Sequence, residues 1–153
     1  MAKRGGYGFG IVGCGMVADF HAKAIAAMKG GHLACVYSRN SKNADRVAKA
    51  HGCAAYTDYT QFLAHPGLDV VTIATPSGAH LEPAEKAAKA GKHIVSEKPL
   101  EITLERIDKM IKVCQQNNVM LAGIFQRRIY ESVGVFKKAV DSGRLGKITL
   151  ADA

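Results

Sequence analysis

A glycine pattern near the amino terminus is the first candidate for chemistry. Gly13 and Gly15 open the pattern GxGxxA, which closes at Ala18. Such a turn between a strand and a helix binds dinucleotides, because the first glycine permits a tight turn and the second lets the backbone approach a pyrophosphate. The amide groups around Met16 and Val17 would bind the anion at the positive end of the helix. A glycine-rich hairpin or a structural turn without a ligand is the alternative.

Ser38 and Arg39 are candidates for choosing between cofactors. A site that prefers NAD places a carboxylate about 20 residues after the glycines, but residues 35–40 read CVYSRN and contain none. Ser38 could donate a hydrogen bond to a 2′-phosphate, and Arg39 could pair with its charge. The sequence therefore favours NADP over NAD, with a solvated Arg39 in a loop before a helix as the alternative.

The loop at residues 75–80 follows the most apolar predicted strand. In an open parallel sheet, ligands bind beyond the carboxyl ends of the strands. Thr75, Pro76 and Ser77 are therefore expected to flank the ribose and nicotinamide of a dinucleotide, and His80 is a further cofactor-binding candidate. For Ser77 and His80, a role as a helix cap is the alternative.

The turn Ser96-Glu97-Lys98-Pro99 follows the next predicted strand. Lys98 is the catalytic candidate, because a partly buried lysine there could bridge the nicotinamide ribose and a substrate oxygen and stabilise developing negative charge. Glu97 and Lys98 are both expected to contact the cofactor. A surface ion pair before a turn is the alternative.

Strands and helices alternate along the chain in the way that positions such loops. Strands are predicted at Tyr7–Val12, Leu33–Tyr37, Ala54–Tyr56, Asp69–Thr75, His93–Ser96, Val119–Phe125 and Lys147–Ala153. Helices are predicted at Met16–Met28, Ala44–His51, Tyr59–Ala64, Leu81–Ala90, Leu104–Cys114 (behind a Thr103 cap) and Tyr130–Val140. This alternation predicts an α/β fold with a doubly wound parallel sheet, covered by helices on both faces.

Composition narrows the classes of partner. The 153 residues are 48% hydrophobic and 22% charged, which is typical of a globular protein. The formal net charge of +8 favours an anionic ligand. Nucleic acid is not expected, because the basic residues lie singly or in pairs and tryptophan is absent. No apolar run approaches the roughly 20 residues of a membrane helix, so no membrane partner is expected.

The cysteines and the amino terminus bear on location. Four cysteines show no CxxC pair and no histidines at zinc spacing, which favours buried thiols in a reducing compartment and no metal site. Lys3 and Arg4 before an apolar stretch are reminiscent of a signal peptide, but the many glycines make a poor helical core. A cytoplasmic location is predicted.

The motifs taken together resemble the Gfo/Idh/MocA oxidoreductases, the family of glucose-fructose oxidoreductase and inositol dehydrogenase. The resemblance rests on the glycine turn, on Thr75-Pro76-Ser77 with His80, and on the run from Gly91 to Leu100 with its Glu97-Lys98-Pro99. It implies a Rossmann domain that binds NAD or NADP, with Lys98 close to cofactor and substrate and with a cis Lys98–Pro99 peptide that fixes the direction of the lysine.

The same resemblance implies the domain organisation and the activity. Residues 1–125 would form the cofactor domain, and residues 126–153 a connecting helix and the first strand of a truncated second α/β domain; an edge strand returning to the first sheet is the alternative. Hydride would move between nicotinamide and a hydroxyl or carbonyl carbon of a sugar, sugar derivative or polyol. The family's proton-transferring histidine would follow residue 153, and homo-oligomer contacts would involve the second domain. A catalytically inactive dinucleotide-binding or sensing module, or a scaffold that binds no nucleotide, stays open.

Overall fold

Six strands form one parallel sheet in the computed structural model, which describes residues 6–152. The strands are β1 (Tyr7–Val12), β2 (Gly31–Tyr37), β3 (Ala54–Tyr56), β4 (Leu68–Ile73), β5 (His93–Ser96) and β6 (Leu121–Gly123). They lie in the order β3-β2-β1-β4-β5-β6, which is the Rossmann arrangement. The predicted doubly wound sheet is confirmed. Strand order reverses between β1 and β4, so a crevice is expected beyond their carboxyl ends.

Six α-helices lie within residues 6–152, and the first five of them connect the strands of the sheet. They are α1 (Ala18–Ala27), α2 (Ser41–His51), α3 (Tyr59–Leu63), α4 (Leu81–Lys89), α5 (Leu104–Gln116) and α6 (Glu131–Asp141). Side-chain caps set three of the starts: Asn40 accepts from Asn43 N–H before α2, Asp58 from Gln61 N–H before α3, and Thr103 from Arg106 N–H before α5. The predicted Thr103 cap is confirmed. A 3₁₀ turn over Gln126–Ile129 precedes α6.

The sheet buries apolar side chains on both faces. Neighbouring residues of β1 point to opposite sides, so Ile11 packs with α1 and α2 while Val12 belongs to the larger core beneath α4 and α5. The first core includes Ala18, Ala22, Ile25, Ala44 and Val47, and the second includes Val71, Ile73, Ala84, Ala87, Ile94 and Met110. Small alanines on α1, α2 and α4 let these helices lie close to the sheet.

The predicted strand at Lys147–Ala153 is wrong for its described part, since residues 147–152 form no strand. Isolated extended backbone is not stable without a neighbour to satisfy its hydrogen bonds, and no described strand pairs with this segment. The preceding helix α6 leaves Val135 and Phe136 exposed at 64% and 59%. The division into domains 1–125 and 126–153 stays a prediction.

No helix within residues 6–152 is long and apolar enough to cross a bilayer. Lys3 and Arg4, which entered the prediction of location, lie outside the described residues.

Candidate dinucleotide-binding site

The turn after β1 has the geometry that the glycine pattern predicts. Gly13 has a φ of +97°, and a Cβ placed there would lie 2.7 Å from the carbonyl oxygen of Ala74. The Gly13 N–H donates a 2.9 Å hydrogen bond to the carbonyl of Tyr37 at the end of β2. Only glycine combines this backbone conformation with so close an approach. Gly13 therefore fixes the turn between β1 and α1.

Gly15 opens the turn toward a ligand. A Cβ at Gly15 would meet no heavy atom within 4 Å, so the backbone there faces open space. Val17 stands at the amino end of α1 and provides no side-chain cap. The Ala18 N–H donates to Gly15 O at 3.2 Å, so the amides of Met16 and Val17 just before it are the candidates for binding an anion. Ala18 is fully buried against the sheet, as the small third residue of the pattern requires. These features fit a pyrophosphate.

A cleft of about 950 Å³ lies along this turn. Its walls come from the loops that follow β1, β2 and β4, together with α3 and α4. Eight of the predicted cofactor residues line it: Gly13, Gly15, Met16, Val17, Ser38, Arg39, Thr75 and Pro76. Cys14 also lines it, but burial raises the pKa of this thiol to about 11, so it is held neutral. The cleft thus lies at the predicted switch point.

Polar groups from the loop after β2 form one end of the cleft. Ser38 Oγ accepts a 3.2 Å hydrogen bond from Asn40 N–H and keeps its own proton free to donate. Arg39 and Asn40 are exposed beside it, and Asn43 of α2 completes this end. No carboxylate from the loop after β2 lines the cleft.

A further wall of the cleft comes from α3 and α4 and was not predicted. Tyr59 O–H donates a 2.9 Å hydrogen bond to Pro83 O, and burial raises the pKa of this phenol. Lys86 Nζ lies 5.9 Å from the centre of the Tyr59 ring. Glu82 lines the same wall, and its hydrogen bond from Arg106 lowers its pKa. Lys86 is therefore a second cation on the cleft, opposed by the Glu82 carboxylate.

Of the four cofactor candidates in the 75–80 loop, Thr75 and Pro76 line the cleft and Ser77 and His80 do not. Thr75 Oγ1 donates to Ala79 O at 2.8 Å, which closes the loop beside the cleft. Ser77 is exposed and does not line the cleft. His80 differs from the predicted cofactor contact, since it is only 1% exposed. Its Nε2 lies 2.9 Å from Thr75 O and its Nδ1 3.0 Å from Pro99 O. His80 therefore joins the 75–80 loop to the Lys98–Pro99 turn and does not line the cleft.

Lys98 and Glu97 lie beyond the cleft lining. Lys98 is exposed, in contrast to the partial burial expected from the sequence, because no described residue covers its side chain. Glu97 is directed at His21 of α1, with 3.0 Å between Oε1 and Nε2. The Lys98–Pro99 peptide is cis, as the resemblance implied. His21 escaped the sequence analysis because nothing local to α1 marks a partner 76 residues away.

Glu101, which was also not predicted, connects the end of the 75–80 loop to the segment that follows the Lys98–Pro99 turn. Its Oε1 accepts from the N–H groups of His80 at 3.1 Å and Leu81 at 2.9 Å, and its Oε2 accepts from Ile102 N–H. Arg106 Nη2 donates to Oε1 at 3.0 Å. Burial opposes ionisation of Glu101, but these hydrogen bonds outweigh it and lower its pKa to about 2. The carboxylate thus ties α4 and α5 to the Lys98 turn.

The fold and this cleft define an NAD-binding Rossmann domain of the oxidoreductase type. The family model GFO_IDH_MocA, described as "Oxidoreductase family, NAD-binding Rossmann fold", matches residues 7–125. The chain belongs to the Gfo/Idh/MocA family. Inositol 2-dehydrogenase of Rhizobium meliloti is 32% identical over 142 residues, which cover 93% of this chain and 43% of that enzyme.

Solved structures agree with this assignment. The WlbA dehydrogenase of Bordetella pertussis, in complex with NADH and UDP-GlcNAcA, is 33% identical with a TM-score of 0.90 over 94% of this chain and 42% of its own. Scyllo-inositol dehydrogenase of Lactobacillus casei, with bound NAD(H) and scyllo-inositol, is 34% identical with a TM-score of 0.86 over 94% and 43%. The chain thus spans less than half the length of these relatives.

Proposed function

We propose that the chain is the cofactor-binding part of an oxidoreductase that acts on a hydroxyl or carbonyl carbon of a sugar, sugar derivative or polyol. The cleft at the glycine turn carries this proposal, because it combines an open Gly15, an uncapped helix start and loops from three strand ends. Dehydrogenase relatives that act on inositols and nucleotide sugars support the substrate class.

Each part of the cleft has a role in this proposal. The amides around Met16 and Val17 bind the pyrophosphate, while Thr75 and Pro76 flank the nicotinamide half. Nicotinamide, when bound, donates or accepts the hydride. Lys98 orients the substrate oxygen and assists its protonation or deprotonation, which requires that substrate and lysine share a space shielded from water. Because Lys98 is exposed here, the proposal also requires a covering element, which the predicted second domain would supply.

NADP is the proposed cofactor of choice. Ser38 and Arg39 stand at the end of the cleft where the adenosine ribose would lie, and the loop after β2 brings no carboxylate there. Lys86 of α4 adds a second positive charge to the lining, although the Glu82 carboxylate lies in the same wall. A 2′-phosphate is favoured by cations and an available hydroxyl donor.

Titration of the chain with NADPH and NADH tests the proposal first. Saturable binding of at least one is expected, by fluorescence or calorimetry, and the absence of both would contradict it. Oxidation or reduction of a panel of polyols and sugars, followed at the nicotinamide absorbance, should then be measured on the natural protein that contains this chain.

Lys98→Ala in that protein separates an enzyme from the inactive dinucleotide-binding or sensing module. The expected result is a loss of kcat of about 10²-fold or more with little change in cofactor affinity. Lys92→Ala is a matched control, since that lysine bonds Leu68 O on the sheet and lies off the cleft. Equal turnover before and after removal of the Lys98 side chain would contradict its role.

A homo-oligomer and a cytoplasmic location remain predictions.

A further inference from the structure

His21 and Glu97 make a side-chain contact that joins the first helix to the Lys98 turn. Nε2 of His21 lies 3.0 Å from Oε1 of Glu97. The two side chains are only 10% and 19% exposed, so water competes with this contact less than it does with a surface pair. The partner of each group is therefore well defined.

The second carboxylate oxygen of Glu97 is turned toward its neighbour in the chain. Oε2 accepts a 3.1 Å hydrogen bond from Lys98 N–H. The Glu97 N–H donates at 3.0 Å to the carbonyl of Ile73, the last residue of β4. The backbone of Glu97 is thus fixed by the sheet, and its carboxylate connects the His21 ring with the peptide that carries Lys98.

We propose that His21 is a positioning residue for Lys98. By holding Oε1, it keeps Oε2 directed at Lys98 N–H and so fixes the backbone from which the lysine side chain projects. Displacement of a reacting group by about 1 Å can lower a rate by about 10²-fold, so a contact that fixes this backbone affects turnover without touching the substrate.

Helix α1, which carries His21, also links the Lys98 turn to the glycine turn. α1 begins at the glycine turn, where the pyrophosphate would bind, and His21 lies one turn further along. The same helix would therefore bind the cofactor at its start, and it contacts the Lys98 turn through His21. This inference rests on the proposed function for what Lys98 does, whereas the His21–Glu97–Lys98 connection stands on the structure alone.

Two variants and one control separate positioning from simple packing. His21→Ala removes the ring and its hydrogen bond, whereas His21→Gln places an N–H donor where Nε2 stood. His51→Ala is the matched control, because His51 makes the same kind of contact, 2.9 Å to Asp19, with a side chain that is 17% exposed. A packing role alone would make both alanine variants behave alike.

The first experiment needs only this chain and no turnover. Exchange of the Lys98 amide proton with water is measured by NMR in the ¹⁵N-labelled chain. The expected result is exchange about tenfold faster in His21→Ala, with rates near wild type in His21→Gln and His51→Ala. An unchanged rate in His21→Ala, or an equal rise in His51→Ala, would overturn the proposal.

The second experiment measures kcat, KM and cofactor affinity in the natural protein that contains this chain. His21→Ala should lower kcat by about 10- to 100-fold while the dissociation constant for the cofactor changes by less than about twofold, and His21→Gln should recover most of the loss. A wild-type kcat in His21→Ala would overturn the role of His21. A wild-type protein without any turnover would overturn the proposed function itself, while the amide experiment would still decide the contact.

Discussion

A Cβ at Gly13 would lie 2.7 Å from the carbonyl oxygen of Ala74, whereas a Cβ at Gly15 would meet nothing within 4 Å. The two glycines of one motif therefore serve different ends. Gly13→Ala should destabilise the fold by more than about 1 kcal/mol, because alanine is strained at a φ of +97°. Gly15→Ala should leave the melting temperature nearly unchanged and weaken dinucleotide binding. Thermal melts and nucleotide titrations of both variants check this; similar melting temperatures for both would contradict it.

Arg39→Ala should weaken NADPH binding and leave NADH nearly unchanged. Loss of a hydrogen bond to a charged group costs about 1.5 to 3 kcal/mol, which corresponds to roughly 10- to 150-fold in affinity. Calorimetric titration with both nucleotides measures the two affinities. Lys42→Ala is the control, because that residue carries the same charge nearby but does not line the cleft. A parallel loss for NADPH and NADH would instead make Arg39 structural.

Glu101→Gln should destabilise the chain at neutral pH by roughly 1.5 to 3 kcal/mol, because it removes the carboxylate that accepts from the N–H groups of the loops and leaves Arg106 with the exposed Glu82 as its remaining carboxylate partner. The stabilisation that the Glu101 carboxylate provides should decrease at low pH. The pKa of Glu101 falls from 4.5 to about 2 in the fold, so its stabilisation is complete above about pH 4.5 and is lost as pH falls toward 2.

Denaturant unfolding between pH 7 and pH 2 checks the Glu101 prediction. The gap between wild type and Glu101→Gln should narrow through that acid window. Glu105→Gln, an exposed substitution in the first turn of α5, is the control and should change stability little. A gap that stayed constant down to pH 2 would show that ionisation of Glu101 contributes nothing.

Cys14 should resist alkylation although it lines the cleft. Burial raises its pKa from 9.0 to about 11, and the thiolate is the reactive form. At pH 8 the folded thiol should therefore react at least about 100-fold more slowly than the same thiol in the denatured chain. Iodoacetamide labelling, followed by peptide mass spectrometry, measures Cys14 separately from the other cysteines. Equal rates in the folded and denatured chain would contradict the prediction.

Features that depend on neighbouring residues could be predicted from the sequence, and features that join distant segments could not. The glycine turn and the six strands of the sheet follow from local spacing and periodicity, and the structure confirms them. His21 contacts Glu97 across 76 positions, and Lys86 of α4 lies beside Tyr59 of α3, 27 positions earlier in the chain. Neither pairing leaves a local signal.

Burial was the least predictable property. His80 was a cofactor candidate with a helix-cap role as the alternative. It stands directly before α4 without a side-chain cap, and its ring lies between Thr75 O and Pro99 O. Lys98 was expected to be partly buried, yet no described residue covers it. Both outcomes depend on how whole loops pack, which sequence patterns do not specify. The strand predicted at Lys147–Ala153 shows the same limit, because alternation of side chains supplies no hydrogen-bonding neighbour.

The two outermost strands of the sheet, β3 and β6, have only three residues each. Each edge of the sheet therefore offers few unpaired backbone groups on which another chain could add a strand. Short edge strands commonly protect proteins against aggregation through strand addition. Edge-to-edge pairing of strands between copies of this chain is disfavoured for that reason. Aggregation on storage should therefore involve exposed apolar side chains such as Val135 and Phe136, and mild detergent should reduce it.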